Sequence, residues 1–556
     1  MRFQLVTSTV LTAVVLFACA AGAQDFNEEF GLWPVDLKIA GTVIACGGDT
    51  APESMLEAIA KAANQTKAKT VVIQFEGSNM DETFIKTKLD NPTELSLIVI
   101  KKGESIPLDA PIAKIESANV VWLIASSQLT QTQANLLSPI LATAKTMVAQ
   151  GGTLATNGEA TEALGKFKTE KTAGSTTVEA SGDLLPDTVI SSAYTDAVDR
   201  PALLATLAAN PRCVGIGIES NTAIILQNRK IRAIGEGQAT FCLMANEEKP
   251  LRVQHLKEVT SRRANPYTSI VDLTAWRRDA IERTVAPFPA KNPPTPFVEN
   301  GTLFIVGGGG MPNGMMEDLV TLAGGENARM VYVPCSEADE IKGSQRTVEA
   351  WKKMGVQSAT FIHTKDRIKA NSDEEFLAPL KDATGIWFGG GRQWNFADSY
   401  YGTKAHRLMK DVLARGGVIG GSSAGASIQG AYMCRANPVA NFDIMAPGYE
   451  RGLGFIRGVA IDQHFSQRGR QKDMTQLVDR YPQLLGIGLD EATAIVVKKS
   501  KAKVIGRGKV HFYDRNVPVI PGTDDFIALK AGSTFDLAKR VVVKDAEDKE
   551  TTPPKK

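Results

Sequence analysis

The feature of this 556-residue chain that most restricts its fold is a long internal repeat. Gly-Thr-Val-Ile-Ala-Cys-Gly-Gly begins at Gly41, and Gly-Thr-Leu-Phe-Ile-Val-Gly-Gly begins at Gly301, 260 positions later. Further pairs follow in the same order at offsets of 265, 265 and 271: Val121–Leu123 with Ile386–Phe388, Gly151–Leu154 with Gly416–Ile419, and Gly215–Ile224 with Gly486–Ile495. An offset that drifts this slowly indicates duplication of a whole domain, because the period is far longer than that of a solenoid repeat.

Each copy alternates short apolar, β-branched runs with amphipathic helical stretches. In the first copy a helical stretch over Pro52–Asn64 precedes a strand over Thr70–Phe75, and in the second copy Met315–Ala323 precedes Met330–Pro334. This alternation predicts a mostly parallel sheet with helices on both faces. The sequence therefore predicts two tandem α/β domains, with sites at the carboxyl ends of strands.

The repeat also sets the expected domain boundaries. We expect the first domain over 35–249 and the second over 300–523. Residues 250–299 contain a helical piece and then a proline cluster, a composition typical of a semi-rigid linker. Residues 524–556 are expected to form an extension whose charged end, from Lys544, is disordered.

The first residues have the pattern of an export signal. Arg2 precedes the apolar run Leu11–Ala21, and small residues end at Ala23 before the polar Gln24. This pattern is typical of a signal peptide over residues 1–23, and it predicts a protein exported to the periplasm or the cell exterior. Cys19 leaves open a lipoprotein cut before that cysteine. The run is too short for a membrane span, and no later stretch of the sequence supplies one.

Charge and cysteine content limit the expected partners. Lys and Arg number 63 and Asp and Glu 61, which leaves a net charge of +2 at pH 7. A charge this small supplies no field for nucleic-acid binding, so none is expected. Five cysteines follow the signal, and we expect buried free thiols rather than a disulfide framework: Cys46, Cys213, Cys242, Cys335 and Cys434.

The second copy contains a candidate nucleophile. Apolar and glycine residues from Gly416 run into Gly421-Ser422-Ser423-Ala424-Gly425, and further small residues follow. A buried strand, a sharp turn and a helix start form a nucleophile elbow, in which the flanking glycines permit the strained turn that exposes the serine hydroxyl. Ser423 is therefore the candidate nucleophile. The alternative is a plain glycine turn before a helix.

A serine nucleophile needs a base, and the base usually needs a carboxylate. The chain has five histidines, and His464 is the one that follows an apolar strand and lies in a dense polar set, Asp462-Gln463-His464-Phe465-Ser466-Gln467-Arg468-Gly469-Arg470. Another strand-like run, Gly486–Leu489, ends in Asp490 and Glu491. Either of these two acids is a candidate partner for the histidine.

The remaining parts of such a site are backbone donors for the oxyanion. The N–H of Ala424 and one from Gly389–Gly391 are the candidates, with Gly390 the preferred glycine, because residues without side chains permit close approach. This chemistry requires no metal or cofactor, and none is expected. The proximity of Arg468 and Arg470 favours a substrate carboxylate as their ligand. The alternative is that both are surface charges paired with Asp473 and Asp479.

Together these motifs resemble the cyanophycinase branch of the cyanophycinase and aspartyl dipeptidase family of serine peptidases. The resemblance covers about Gly301 to Pro521 and includes Gly-Gly-Ser-Ser-Ala-Gly-Ala, Asp-Gln-His-Phe-Ser-Gln-Arg-Gly-Arg and Gly-Ile-Gly-Leu-Asp-Glu-Ala-Thr-Ala, in the family's order. It implies a class I glutamine-amidotransferase-like, flavodoxin-like α/β fold. It also implies a Ser-His-carboxylate triad, which falls on Ser423, His464 and Glu491.

The resemblance implies a substrate as well. Cyanophycinases hydrolyse an aspartate backbone that bears arginine on its side chains, and they release β-Asp-Arg dipeptides. The family's substrate-binding positions fall on residues of this chain as follows: Gln393, Asp462, Gln463, Arg468 and Arg470. The expected partner is therefore a peptide that contains aspartyl residues.

One departure affects the expected substrate. The family pattern has a third arginine where this chain has Asp473, and Ser422 replaces the threonine that usually precedes the nucleophile. The acid inverts a local charge, so another aspartyl or isoaspartyl peptide fits as well as cyanophycin. Two other functions stay open, a catalytically silent binding or scaffold protein and another serine acyl hydrolase such as an esterase.

The first copy lacks the chemistry of the second. At the offsets of the repeat, Ser423 corresponds to Gly158, His464 to Ala193 and Glu491 to Ser220. The binding positions change too, although Gln128 corresponds to Gln393. We therefore expect the first copy to be inactive and to pair with the second, since family members are commonly dimers. A homodimer of the whole chain is the other arrangement expected.

Overall fold

The computed structural model describes residues 31–543, apart from short stretches at residues 36, 38, 66–67, 77–80, 90–93, 105, 126–128, 170–177, 180–181, 260–264, 313 and 342. The predicted signal peptide with Cys19, the charged end from Lys544, and Gln128 therefore lie outside the described residues. Among the residues that are described, no helix is long and apolar enough to cross a membrane. All five described cysteines are free, and only Cys335 is not fully buried.

The chain divides into two units. The N-terminal unit contains Asp36–Ala290 and the later segment Asn437–Tyr449. The C-terminal unit contains Lys291–Ala436, the described residues from Glu450 onward, and residues 31–35.

The strands of the N-terminal unit are β1 (Thr42–Cys46), β2 (Lys69–Phe75), β3 (Glu94–Ile100), β4 (Val120–Ala125), β5 (Thr153–Gly158), β6 (Gly165–Lys168), β7 (Val178–Glu179), β8 (Leu185–Ser191), β9 (Val214–Ile218), β10 (Thr222–Gln227), β11 (Lys230–Gly235), β12 (Gln238–Leu243), β13 (Arg252–Lys257) and β14 (Val271–Asp272). Its helices are α1 (Glu53–Ala63), α2 (Glu82–Lys88), α3 (Asp109–Glu116), α4 (Gln131–Ala149), α5 (Glu159–Glu162), α6 (Asp196–Ala209), α7 (Pro266–Ser269) and α8 (Leu273–Glu282).

These strands form two sheets. The larger has the order β14-β11-β10-β1-β5-β4-β2-β3. Within it, β1, β5, β4, β2 and β3 pair in parallel. Strands β10, β11 and β14 extend the sheet with antiparallel pairing. The smaller sheet has the order β13-β12-β9-β8-β6-β7.

The strands of the C-terminal unit are β15 (Val298–Val306), β16 (Arg329–Val333), β17 (Ser358–Phe361), β18 (Gly385–Phe388), β19 (Val418–Ser422), β20 (Gly430–Met433), β21 (Ile456–Gln463), β22 (Leu485–Leu489), β23 (Thr493–Lys499), β24 (Lys501–Gly506), β25 (Lys509–Tyr513), β26 (Ile527–Lys530), β27 (Thr534–Asp536) and β28 (Val541–Val542). Its α-helices are α9 (Met315–Leu322), α10 (Gln345–Lys353), α11 (Arg367–Ser372), α12 (Glu374–Asp382), α13 (Trp394–Tyr400), α14 (Lys404–Ala414), α15 (Ala424–Ser427) and α16 (Gln471–Arg480), and 3₁₀ turns lie at Gly325–Asn327 and Ser466–Arg468.

The sheets of the C-terminal unit follow the same order. The larger is β17-β16-β18-β19-β15-β23-β24-β27-β28. Its first five strands, β17, β16, β18, β19 and β15, pair in parallel, and antiparallel pairing begins with β23. The smaller is β20-β21-β22-β25-β26. The predicted α/β class with parallel strands is confirmed in both units. The smaller sheet and the antiparallel extension were not predicted, because their strands lie in runs that periodicity alone assigns to no particular sheet.

The predicted linker and extension differ from the structure. Within residues 250–290, β13 pairs with β12 and β14 with β11, so this stretch belongs to the N-terminal unit. Helix α8 is buried along its whole length, although its Arg-Arg-Asp sequence resembles a solvated surface. Its charges are paired inside the unit, as Asp279 is with Arg252 at 2.8 Å. Likewise β26 and β27 join the sheets of the C-terminal unit, so the predicted extension is folded with that unit up to residue 543.

Candidate active site

Strand β19 ends at a partly buried turn that carries Ser423. This residue has φ 57° and ψ −112°, a region that residues other than glycine rarely adopt. A Cβ at Gly421 would lie 2.3 Å from the Gly425 carbonyl oxygen, and a Cβ at Gly425 would lie 2.1 Å from that of Phe388. Both flanking positions therefore require glycine, as the predicted elbow assumed.

The structure brings Ser423, His464 and Glu491 together. Ser423 Oγ lies 2.9 Å from His464 Nε2, and His464 Nδ1 lies 2.5 Å from Glu491 Oε1. With the proton on Nδ1, the ring donates to the carboxylate and Nε2 accepts from the hydroxyl. This is the geometry of a hydroxyl beside a base that a carboxylate orients.

A glycine-rich loop after β15 holds the three segments in register. Three consecutive carbonyls accept from them: Val306 O from Ser423 N at 3.0 Å, Gly307 O from His464 N at 2.8 Å, and Gly308 O from Ala492 N, next to Glu491, at 2.8 Å. The backbone of one loop thus positions all three members of the cluster. Sequence reasoning identified this glycine run only as part of the repeat.

The side-chain-free positions of that loop also make room for the cluster. A Cβ at Gly308, whose φ is 98°, would lie 2.4 Å from the His464 ring. A Cβ at Gly309 would lie 2.4 Å from the Glu491 carboxylate, whereas one at Gly310 would meet nothing within 4 Å. Glycine is therefore required at the first two positions for a steric reason as well as a conformational one.

The surroundings keep His464 neutral near pH 7. Burial lowers the pKa of the imidazole, the hydrogen bond with Glu491 raises it, and the charge of Arg468 lowers it again, so that it lies below its usual value of 6.5. A neutral imidazole can accept the proton of Ser423.

The two acids that the sequence left as alternatives have different contacts. Glu491 reaches His464, whereas Asp490 accepts from the backbone N–H groups of Ser466 and Lys509, each at 3.0 Å. Burial raises the pKa of Asp490, but hydrogen bonds from His511 and Ser466 outweigh it and bring the value to about 2. Asp490 therefore shapes the loop, and Glu491 is the acid that contacts the base.

The predicted oxyanion donors lie beside Ser423. A Cβ built on Gly390 would be 3.5 Å from the Cβ of Ser423. Gly389 N–H is already used, since it donates to Val333 O at 3.0 Å, whereas Gly390 and Ala424 donate no backbone hydrogen bond to any described residue. Both of these N–H groups are thus available to an oxygen next to the serine.

A buried ion-pair network underlies the predicted binding residues, and sequence reasoning missed its centre, Arg435. The Nε of Arg435 lies 2.9 and 3.1 Å from the two oxygens of Asp462, and Nη2 lies 2.5 Å from Asp473 Oδ2. Arg470 adds a bond to Asp462 Oδ1 at 3.0 Å and one to the Gln463 carbonyl at 2.5 Å. The extra acid at position 473 is therefore neutralised by an arginine from the segment after β20, which no local motif marks.

This network changes the expectation for Arg470 and Asp462. Both are buried and pair with each other, so they support the pocket instead of presenting charge to it. Arg468 differs, because it is exposed and its side chain has no ion pair in the described chain. Gln393 is buried and donates to the Cys434 carbonyl, while the buried Oε1 of Gln463 has no hydrogen-bond partner among the described residues.

Comparison with known proteins finds similarity to one peptidase family in this unit. Residues 303–505 match peptidase family S51. Over these residues the C-terminal unit is therefore similar to that family. The S51 domain resembles the cyanophycinases within it, which confirms the resemblance drawn from the motifs, and it is a serine-type peptidase domain.

The relatives of the S51 domain are curated cyanophycinases. The protein of Geminocystis herdmanii is 29% identical over 195 residues, which are 34% of this chain and 71% of that protein. The protein of Synechococcus elongatus is 29% identical over 197 residues, 34% of this chain and 60% of that one. Among solved structures, a peptidase from an acI-B1 Actinobacterium is 24% identical with a TM-score of 0.33, and the match covers 43% of this chain and 97% of that chain.

Proposed function

We propose that this protein is an exported serine peptidase that hydrolyses peptide bonds at aspartyl or isoaspartyl residues. Ser423 is the nucleophile, His464 the base and Glu491 the acid that orients the base. The observation that carries the proposal is the placement of one imidazole between the serine hydroxyl at 2.9 Å and the carboxylate at 2.5 Å. The match to a peptidase family over the same residues supports it.

The proposed reaction has two stages. Ser423 Oγ attacks the scissile carbonyl while His464 Nε2 takes its proton, and the oxyanion is held by the N–H groups of Ala424 and Gly390. His464 then returns the proton to the leaving amine, and water releases the acyl group by the same steps. Glu491 fixes the imidazole tautomer throughout and stabilises the charged ring.

The proposed substrate contains a carboxylate near the scissile bond. Arg468 is an exposed cation near the cluster that has no ion pair among the described residues, so we assign it the role of binding that carboxylate. The relatives are named cyanophycinases, which supports a cyanophycin-type β-Asp-Arg bond among the substrates. Gln393, Asp462, Gln463 and Arg470 form the wall behind it, and the pairing of Asp473 with Arg435 removes the charge objection to such a substrate.

We further propose that the N-terminal unit is an inactive duplicate that pairs with the S51 domain. In support, the two larger sheets have the same strand order up to the antiparallel edge. Gly158 and Ala193 occupy the positions of Ser423 and His464, with φ of 57° and 44° against 57° and 50°. Gly158 has no side chain, and Ala193 and Ser220 supply neither a base nor a carboxylate.

A peptide panel tests the proposal. The full chain and Ser423→Ala would be incubated with cyanophycin, Asp-X peptides, isoAsp-X peptides and neutral peptides of matched length. Release of products from acidic substrates by the parent alone is the expected result. A parent without activity on the whole panel would favour a binding protein, and activity on esters alone would favour another acyl hydrolase. Sequencing the amino terminus of protein recovered outside the cytoplasm tests export, and we expect it to begin at Gln24.

A further inference from the structure

A second cavity, separate from the Ser423 cluster, lies in the C-terminal unit. Its volume is about 690 Å³. It is bounded by the turn between β24 and β25, by one face of β25 and β26, and by the segments that carry His464 and Glu491. The residues that matter to its chemistry are Asp490, Arg507, Lys509, His511, Asp524 and Lys530.

Two lysines occupy directly opposed positions on the two neighbouring strands that line this cavity. Lys509 of β25 is the register partner of Lys530 of β26. Like charges in directly opposed positions destabilise a sheet. Neither lysine has an ion pair in the described chain, and Arg507, two residues before Lys509, has none there either.

Another lysine pair in the same unit shows the usual solution. Lys498 and Lys501 are opposed across β23 and β24, and Asp536 lies 2.6 Å from the Lys501 ammonium. Among the described residues, one opposed lysine pair therefore has a counter-ion and the other has none. The acids that line the cavity do not fill that role, because both oxygens of Asp490 accept backbone N–H groups and Asp524 is exposed without a partner.

The lining of the cavity includes a histidine with an unused polar atom. His511 is the register partner of Ala528, and both residues line the cavity. His511 is only 4% exposed, and its Nδ1 has no hydrogen-bond partner among the described residues. Its ring packs edge-on against Phe526 at 5.0 Å. Ser466 Oγ and Asp490 Oδ1 both approach Nε2, at 3.2 and 3.5 Å, so these three residues do not form a second triad, which would use both ring nitrogens.

We propose that this cavity binds an acidic peptide segment, whose carboxylates supply the counter-charge for Lys509, Lys530 and Arg507. The proposal rests on the proposed function, because the segment is assigned to the aspartyl substrate, beyond the residues that contact the triad. Cations without partners around a cavity with an apolar wall suit an extended chain with carboxylates better than an apolar ligand. Contacts remote from the reacting bond raise affinity for a long substrate without altering the chemical step.

The location suits a site of this kind. Ser466 lines the cavity two residues after His464, and Asp490 lines it next to Glu491. The cavity therefore adjoins the segments that carry the base and its carboxylate partner, and we assign it to the part of the substrate chain beyond the scissile bond.

The test measures binding apart from catalysis. Full-length Ser423→Ala would be titrated with a fluorescent oligo-aspartate peptide, and compared with the same chain bearing Lys509→Gln and Lys530→Gln. The matched control is Lys498→Gln with Lys503→Gln, which removes the same charge from exposed positions elsewhere in the unit. We expect the first pair to weaken binding about tenfold and the control to change it less than twofold.

Thermal melting guards against misfolding. Removing opposed like charges should not lower Tm, and the peptide should raise the Tm of Ser423→Ala but not that of the cavity variant. In the active chain, the cavity variant should raise KM for long acidic peptides and leave kcat/KM for a minimal dipeptide-length substrate unchanged. Equal peptide affinities for the cavity variant and the control would overturn the proposal, as would binding of free aspartate that matches that of the peptide. Failure of the proposed function instead appears as absence of hydrolysis by the parent, whatever the binding result.

Discussion

The two units of this chain have the same backbone at their central turns but different side chains there. Gly158 and Ser423 share φ of 57°, with ψ of −129° and −112°. Ala193 and His464 both have positive φ, and their N–H groups bind the equivalent carbonyls, Gly47 O at 2.6 Å and Gly307 O at 2.8 Å. The N-terminal unit thus has the same strained turns, with no side chain at Gly158 and only a methyl group at Ala193.

This difference shows what backbone strain does and does not indicate. A left-handed residue at a strand end is a common sign of a functional site, since strain costs free energy. Here Ala193 bears that strain, at φ 44°, with only a methyl group to present. The conformation therefore belongs to the way the strands are joined, and function depends on which side chain occupies it.

The largest expected effect is loss of the nucleophile. Ser423→Ala should lower kcat by a factor on the order of 10⁴ or more while leaving Tm unchanged, because it removes one oxygen and leaves the backbone of the turn in place. His464→Ala should act nearly as strongly and Glu491→Gln less. Rates on an aspartyl peptide, with melting curves as the control, check this. Near-parental turnover by Ser423→Ala would mean that the site lies elsewhere.

A smaller but sharper effect is expected from the loop glycines. Gly308→Ala should lower kcat about a hundredfold, because the new Cβ displaces the His464 ring and a misplacement of about 1 Å costs that much. Gly310→Ala is the matched control, since φ is 97° there and 98° at Gly308 but no atom lies within 4 Å of its Cβ. If both variants lost the same activity, backbone strain and not the contact with His464 would be responsible.

The buried ion-pair network around Arg435 is expected to stabilise the fold of the C-terminal unit. Arg435→Met removes one of the two arginine partners of the fully buried Asp462, which should cost about 3–5 kcal/mol of unfolding free energy. Arg468→Met should leave stability unchanged, because that side chain is exposed, and raise KM for acidic substrates. Chemical denaturation and Michaelis kinetics separate the two. The N-terminal unit has Ser191 and Asp199 at the positions of Asp462 and Arg470, so it lacks this network. A neutral Arg435→Met would show that the pair adds nothing to the fold.

The pH profile should follow His464. Its pKa lies below 6.5, so activity should be full at neutral pH and fall only when the medium is acidified past that lowered pKa. Glu491 raises the pKa of the ring, so Glu491→Gln should move the acid limb to still lower pH while reducing kcat. An acid limb that moved upward in this variant would contradict the assignment of Glu491.

The smallest effect is expected in the N-terminal unit. Gly158→Ser installs a hydroxyl at the equivalent turn, but its Cβ would lie 2.0 Å from the Ala125 carbonyl oxygen. It should lower Tm and leave the rate of hydrolysis unchanged. Added together with Ser423→Ala it should restore no activity, and any recovery would show that this unit needs only a nucleophile.

The sequence predicted the site features that consecutive residues encode. It did not predict contacts between residues far apart in the chain. The elbow around Ser423 was predictable because its glycines, nucleophile and helix start are consecutive, and His464 because a strand delivers it with polar neighbours. The choice of Glu491 over Asp490 was not, since it depends on which of two adjacent side chains faces the ring. Arg435 meets Asp473 from 38 positions away, so no local pattern marks it. Helix α8 was taken for part of a linker because the partners of its buried charges lie elsewhere in the sequence.

The central claim is that all hydrolysis by this chain passes through Ser423 and none through the N-terminal unit. Labelling the full chain with a fluorophosphonate, followed by peptide mapping, tests it most directly. We expect a single labelled residue, Ser423, labelling that falls with acidic substrate present, and no label on Ser423→Ala. A label on any residue of the N-terminal unit, or an unlabelled Ser423 in a chain that still hydrolyses aspartyl peptides, would contradict it.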